Sequence, residues 1–251
     1  MIALEKNGHS RLPGPLLIVL HLVPGIIFAI LFYALSWMLI RRGLTAYLAL
    51  LITIPVCLVP TQIGVMLLWS ARRTGKASLS EAISYRCKGT VVEYVALPLL
   101  LFLCGGVLSI AFGPLTQYLD THLSAWLPLW ATQEALINGI TSCPPIQRNV
   151  TFVLAVLLSG FVAPVVEELY FRGFLLPRME HWGWAAPVVN TLLFAVYHFY
   201  FPGNVPGIFV AFLPIAYTVR IKKNWGIGAV VHSMINLWGV FSLFSILSKA
   251  A

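Results

Sequence analysis

Long apolar stretches separated by short charged connections dominate the hydrophobic pattern of this chain. A helix needs about 20 mainly apolar residues to cross a hydrocarbon core of about 30 Å, and seven stretches have or approach that length. They are residues 15–40, 44–70, about 90–112, about 150–166, about 184–202, about 205–219 and about 225–247. The pattern therefore predicts a helical protein with seven membrane spans.

Two regions modify this count. The fourth stretch has no glycine or proline within 165–172, so we expect its helix to continue through three charged residues to about Leu176, just before Pro177. Residues 113–149 contain acidic residues and a proline pair, and their Leu- and Trp-rich part either lies along the interface or re-enters as an eighth hydrophobic element. We therefore predict an all-α, polytopic membrane helical bundle of seven to eight transmembrane or re-entrant helices.

Composition excludes the soluble classes of protein. Hydrophobic residues make up 59% of the 251 residues and charged residues only 10%, against roughly 25% charge in soluble domains. The apolar runs are too long for the alternating strands of an outer-membrane barrel. The net charge of +8 comes from cations clustered between the apolar runs, so it indicates membrane topology and not nucleic-acid binding.

The same cations predict the orientation, because cytoplasmic connections are enriched in Lys and Arg. With the N-terminus inside, twelve of them fall on the cytoplasmic side and four outside. The inner set is Lys6, Arg11, Arg72, Arg73, Lys76, Arg86, Lys88, Arg172, Arg178, Arg220, Lys222 and Lys223, and the outer set is Arg41, Arg42, Arg148 and Lys249. We expect an integral protein of the bacterial cytoplasmic membrane with a cytoplasmic N-terminus.

Three charged residues, Glu167, Glu168 and Arg172, fall within six consecutive positions of the extended fourth stretch. Each costs about 2.5–3.5 kcal/mol at the centre of a membrane helix, so the cluster requires a reason. Glu168 and Arg172 are four residues apart on one helix face, where they can neutralise each other. Glu167 lies about 100° away from Glu168 around the helix. It is therefore the carboxylate without a local partner and the better candidate for proton transfer.

Polar side chains on two further stretches complete a candidate site. His198 follows Phe194 by one turn in the fifth stretch, and Asn236 follows His232 by one turn in the seventh. A lone histidine in a membrane helix is more often a packing hydrogen bond, but here three stretches carry such groups. All lie within about 10–22 Å of the helix ends assigned to the cytoplasm. We therefore expect them, together with Glu167, to meet in one cavity open to the cytoplasm.

A carboxylate, two imidazoles and an amide favour hydrolytic acyl transfer with water as the nucleophile. A carboxylate assisted by an imidazole can deprotonate water, and imidazole and amide N–H groups can stabilise the resulting oxyanion. No membrane serine has a G-x-S-x-G context. Two histidines and a glutamate are also the ligands of a catalytic zinc site, although H-E-x-x-H is absent. A zinc-dependent membrane metalloprotease therefore stays open as an alternative.

These residues resemble the signature motifs of a known family. The chain has E-E-L-Y-F-R-G from Glu167, F-A-V-Y-H from Phe194 and H-S-M-I-N from His232. In order and spacing they are similar to the three motifs of the CAAX protease and bacteriocin-processing family (CPBP, or Abi), which includes the CAAX prenyl endopeptidase Rce1. The resemblance covers about residues 150–240, and residues 1–149 show nothing comparable.

The resemblance implies an intramembrane glutamic-type endopeptidase without cofactor or metal. By motif, Glu167 with His198 would activate water, and His232 with Asn236 would stabilise the oxyanion. Supporting roles would fall to Glu168, Arg172 and Phe194. The substrate would be a peptide or protein, with or without a lipid, hydrolysed near the cytoplasmic face of the bilayer, and no nucleic-acid partner is expected.

We expect one membrane domain over residues 1–251, with divergent N-terminal helices at 1–149 and a catalytic core at 150–240. Two other functions use similar residues. A non-enzymatic immunity or scaffold protein could keep the fold, but the motifs are complete. A proton-coupled transporter also uses intramembrane Glu and His, yet the chain has no internal repeat of the kind that many transporters carry.

Overall fold

The computed structural model describes residues 11–249, apart from the side chains of Trp126 and of residues 246–249. Within this range the chain forms helices, turns and one isolated antiparallel bridge between Arg86 and Asn224, and no strand. The all-α class is therefore confirmed. Lys6, which contributes to the predicted orientation, lies outside the described residues.

The helices follow one another through short connections. In chain order they are α1 Gly14–Ile40, α2 Ala46–Thr74, α3 Leu79–Ala82, α4 Val91–Leu123, α5 Gln133–Ser142, α6 Pro145–Trp182, α7 Ala185–Tyr197, α8 Val205–Lys222 and α9 Trp225–Lys249. Two of them contain π-helical stretches, at Ile54–Leu58 in α2 and at Ala155–Val162 and Glu168–Leu175 in α6. Helix α6 ends in the 3₁₀ segment Leu176–Trp182.

Six of these helices are long and apolar enough to cross a membrane, namely α1, α2, α4, α6, α8 with the turn before it, and α9. The predicted fifth span, 184–202, contains only the 13-residue helix α7. At 1.5 Å per residue α7 is about 20 Å long, shorter than the hydrocarbon core of about 30 Å. The polytopic helical bundle is thus confirmed, with six long spans and one shorter apolar helix.

The ambiguous region 113–149 contains no eighth span. Helix α4 continues to Leu123 and so is longer than predicted, because a helix can carry internal prolines such as Pro114 in a membrane environment. Two 3₁₀ turns and the ten-residue helix α5 follow. Pro145 then occupies the first turn of α6, where its missing N–H costs no hydrogen bond.

Two connections lie together at one end of the bundle, which we call the cationic end. There the Cys87 N–H donates to the Lys223 carbonyl at 2.8 Å, and Lys222 forms an ion pair with Glu93 at 2.7 Å. Helix α2 ends, α4 begins, α6 ends and α9 begins at this end. The opposite end carries the connections 41–45 and 124–144.

The half of the bundle next to the cationic end is filled by a buried apolar cluster. Its members include Tyr170, Phe174, Leu175, Val219 and Ile227, and all of these are fully buried. A second cluster packs α1 against α2 and α6 in the other half. The candidate residues on α6, α7 and α9 lie between these two regions.

Candidate active site

Helix α6 places its two adjacent acidic residues in different surroundings. Glu167 ends the short α-helical segment Ala163–Glu167, which lies between two π-helical stretches. π-helical turns are wider than α-helical turns and are frequent at functional sites. Glu167 is 4% exposed and lines a cavity, whereas Glu168 is 0% exposed and faces away from it.

Glu168 and Arg172 form the ion pair expected from their spacing. Arg172 Nη1 lies 3.2 Å from Glu168 Oε1, and both side chains are fully buried. The same carboxylate oxygen is 3.3 Å from Nδ1 of His232 on α9. The Arg172 guanidinium also lies over the Phe194 ring, 4.0 Å from its centre. Glu168 therefore holds Arg172 and His232 together, and Phe194 packs against the cation.

His198 presents one ring nitrogen to the cavity. Its Nδ1 is 2.9 Å from the Phe194 carbonyl oxygen. Because a carbonyl oxygen only accepts hydrogen bonds, Nδ1 must carry the hydrogen, and in the neutral ring Nε2 then has a free lone pair. This Nε2 lies 3.9 Å from Glu167 Oε1. The ring is thus held in the tautomer that can accept a proton beside the carboxylate.

His232 approaches the other oxygen of the Glu167 carboxylate. Its Nε2 is 3.7 Å from Glu167 Oε2, while its Nδ1 faces Glu168. The edge of the ring packs against Phe212, with ring centres 4.6 Å apart. Both Nε2–carboxylate distances exceed the length of a direct hydrogen bond. The carboxylate therefore lies between two imidazoles, with space for a small molecule to contact it and either ring.

Asn236 lines the same cavity one turn beyond His232. Its Nδ2 donates to the Ser159 carbonyl at 2.8 Å. A carboxamide nitrogen carries two hydrogens, so the second is available to a group in the cavity. Five predicted site residues thus line one cavity, and two lie buried behind it. The five are Glu167, Phe194, His198, His232 and Asn236, and the two are Glu168 and Arg172.

Sequence reasoning missed Tyr197, which contacts this site, and its partner Gln62. The fully buried Tyr197 interacts with Glu167 and accepts a hydrogen bond from Nε2 of Gln62 at 3.3 Å. Gly25 packs so closely against Tyr197 that an added Cβ would lie 2.5 Å from its carbonyl oxygen. Gln62 could have been recognised from the sequence, because an amide in a membrane span requires a polar partner. Tyr197 gave a similar signal, since a buried hydroxyl requires one too.

The cavity has a volume of about 440 Å³ and extends from Glu167 toward the end opposite the cationic end. Leu50 of α2 lines it about one turn after that helix begins. Thr116 of α4 lines it about two turns before that helix ends. Leu50 is about 36 Å from the cationic end of α2 at 1.5 Å per residue.

The cavity therefore extends away from the cation-rich connections, toward which its opening was predicted. Between Glu167 and the cationic end, Tyr170, Phe174 and Leu175 of α6 are fully buried, and the Tyr170 hydroxyl donates to the Leu20 carbonyl at 2.7 Å. The prediction from sequence placed the opening of the cavity at the helix ends that are closest to the candidate residues. The buried aromatic cluster instead fills that half of the bundle, and the space lies on the other side.

The donor types of a catalytic zinc site, two imidazoles and a carboxylate, meet at Glu167. In the part of the chain that the structure describes, however, no three His, Cys, Asp or Glu side chains are grouped so as to hold a metal ion. Chelation of the purified protein would distinguish a zinc site from a metal-free site.

Gly228 provides a test of the packing around Glu168. A Cβ added at Gly228 would collide with the Glu168 carboxylate and lie 3.0 Å from Val219. We expect Gly228→Ala to destabilise the protein by about 1–3 kcal/mol, as overpacking does, and to lower its Tm in detergent. Gly239→Ala on the same helix is the matched control, because nothing lies within 4 Å of its added Cβ. Equal Tm values for both variants would contradict the packing described here.

Comparison with known proteins finds one family. Residues 149–238 match the model of the Rce1-like family, described as type II CAAX prenyl endopeptidase Rce1-like. This confirms the resemblance predicted from the three motifs, all of which lie within the matched residues. No curated protein and no solved structure matches the chain. The match and the six apolar helices indicate an integral membrane protein, and the match supports protease activity in general terms.

Proposed function

We propose that this protein is an intramembrane glutamic-type endopeptidase in which Glu167 and His198 activate the attacking water. One observation carries the proposal. The Glu167 carboxylate lies between the Nε2 atoms of His198 and His232, at 3.9 and 3.7 Å, on a cavity inside the membrane bundle. The Rce1-like match over the same residues supports a protease.

The first step is attack by water on the peptide carbonyl. One water can contact both Glu167 Oε1 and His198 Nε2, because atoms 3.9 Å apart can share a partner at about 2.8 Å from each. The carboxylate and imidazole take its proton while its oxygen bonds to the carbonyl carbon. The C=O π electrons move to the oxygen, and a tetrahedral oxyanion forms.

The oxyanion requires hydrogen-bond donors on the other side of the scissile bond. The second N–H of Asn236 and a protonated Nε2 of His232 are suitable. The His232 Nδ1–H faces Glu168, so a proton on Nε2 gives a cation between two carboxylates, which compensate its charge. When the C–N bond breaks, the proton held by Glu167 and His198 passes to the leaving amine. The products are a carboxylic acid, which keeps the second hydrogen of the water, and an amine.

A cleavage assay of purified protein against a peptide library tests this proposal. Mass spectrometry should detect products with the wild-type protein and none with Glu167→Gln purified in the same way. Identical products from both preparations would assign the cleavage to a contaminant and contradict the proposal.

We also propose that the reaction needs no metal. In that case wild-type turnover should be unchanged by EDTA or phenanthroline, and purified protein should contain less than stoichiometric zinc. One zinc per chain, with activity lost on its removal and restored on its addition, would establish the His₂Glu metalloprotease alternative instead. Metal analysis of Glu167→Gln is the control, since this variant would lose one zinc ligand.

A further inference from the structure

We propose that a groove between α1 and α2 binds one anionic phospholipid, with its phosphate on Arg72 and Arg73 and one acyl chain along the two helices. This inference is independent of the proposed function, because the groove has no lining residue in common with the cavity at Glu167. Three observations support it: the course of the groove, its apolar and open interior, and the cations at one end.

The groove consists of two segments that join. The first segment has a volume of about 600 Å³ and includes Leu12 and Arg73, which lie at the cationic end. The second segment has a volume of about 290 Å³ and reaches Ile27 and Pro60. The two segments have three lining residues in common, namely Leu20, Val65 and Leu68. They therefore form one continuous groove along the antiparallel helices α1 and α2.

The length of the groove matches the depth of one lipid leaflet. Arg72 and Pro60 are twelve residues apart on α2, which corresponds to about 18 Å at 1.5 Å per residue. The hydrocarbon core of a bilayer is about 30 Å thick, so one leaflet contributes about 15 Å. A lipid with its headgroup at Arg72 therefore has an acyl chain long enough to follow the groove to its other end.

The interior of the groove is apolar and open. Leu16 and Ile27 of α1 line it and are exposed. Gly64 of α2 also lines it, and nothing lies within 4 Å of a Cβ added there. The Thr61 hydroxyl already donates to the Cys57 carbonyl at 2.7 Å, so it requires no partner in the groove. A hydrocarbon chain fits these surroundings better than a polar ligand does.

The cations at one end indicate which headgroup binds. Arg72 and Arg73 line the first segment and are exposed. Within residues 11–249 neither of them forms an ion pair with an acidic side chain. The guanidinium group matches the geometry of phosphate oxygens, and basic pockets between membrane helices bind anionic headgroups. Trp69, which lies 5.2 Å below the Arg73 guanidinium, is a residue type enriched at the membrane interface, where lipid phosphates lie.

Native mass spectrometry of delipidated protein in detergent tests the headgroup site. The protein is titrated with phosphatidylglycerol and, separately, with phosphatidylcholine that has the same acyl chains. Arg72→Gln/Arg73→Gln removes both cations. Arg41→Gln/Arg42→Gln is the matched control, because this exposed pair also has an arginine over a tryptophan, Trp37, and lines neither segment.

A second pair of variants tests the position of the acyl chain. Gly64→Leu places a side chain in the open part of the groove. Gly106→Leu on α4 is the matched control, because nothing lies within 4 Å of its added Cβ either and it lines neither segment. The Tm of each variant confirms that it is folded.

We expect the wild type to bind phosphatidylglycerol at least about 10-fold more tightly than phosphatidylcholine, because two cations contact the anionic headgroup. This preference should disappear in Arg72→Gln/Arg73→Gln. Gly64→Leu should weaken the binding of both lipids by about 10-fold or more, and both controls should bind as the wild type does.

Equal affinities of the wild type for the two lipids would overturn the proposal without the use of any variant. A preference retained by Arg72→Gln/Arg73→Gln would overturn the headgroup site, and unchanged binding to Gly64→Leu would overturn the position of the chain. If the two phospholipids bound equally and Gly64→Leu abolished the binding of a farnesylated peptide, the groove would belong to a lipidated substrate instead.

Discussion

Replacing Glu167 by glutamine should lower kcat by about 10²-fold or more and leave thermal stability nearly unchanged. Glutamine keeps the size of the side chain but cannot accept the proton of the attacking water, and loss of a general base costs about 10²–10⁴-fold. Glu167 faces the cavity, and Arg172 pairs instead with Glu168. The measurement is kcat and Tm of the purified variant beside wild type.

Glu168→Gln is the matched control, because the same chemical change is made one residue away. Glu168 is fully buried and holds both Arg172 and His232. Removing one charge of a buried pair leaves the other uncompensated, which costs about 3–5 kcal/mol. We therefore expect a lower Tm and a smaller folded fraction. If Glu167→Gln kept substantial turnover while well-folded Glu168→Gln lost it, the two roles would have to be exchanged.

Arg172→Met should destabilise the protein strongly. It leaves the Glu168 carboxylate without its guanidinium partner in a position with no solvent access, at a cost of about 3–5 kcal/mol. That is a large fraction of the total stability of a typical protein. We expect little folded protein by gel filtration and a strongly lowered Tm.

The double variant Glu168→Gln/Arg172→Met separates charge from packing. It removes both charges, so we expect it to recover much of the stability lost by Arg172→Met. Arg73→Met is the control for loss of an arginine elsewhere. Arg73 is exposed and lies over the Trp69 ring at 5.2 Å, so its loss should cost less than about 1 kcal/mol. Wild-type stability of Arg172→Met would contradict the buried ion pair.

The positions of the helices could be predicted from sequence because apolar runs of this length have few alternatives in a membrane protein. The convergence of the site could also be predicted, since polar groups on three apolar stretches must find partners inside the bundle. The pairing of Glu168 with Arg172 followed from their spacing alone. These predictions rest on local patterns that tertiary packing does not overrule.

Three features could not be predicted because packing decides them. The π-helical stretches on both sides of Glu167 change which residues share a face, and the sequence has no clear signal for them. The contact between Glu168 and His232 joins helices far apart in the chain. The side on which the cavity lies depends on where bulky residues such as Tyr170 and Phe174 fill the bundle. Counting residues from the helix ends cannot show on which side of the bundle the cavity lies.

If Glu167 and His198 act as one water-activating unit, a double-mutant cycle will show it. The measurement is kcat for Glu167→Gln, His198→Ala and the double variant, each confirmed as folded by its Tm. The effects of residues that act as a unit are strongly non-additive, so we expect the double variant to be little slower than either single variant. A double variant slowed by the product of the two single effects would contradict it.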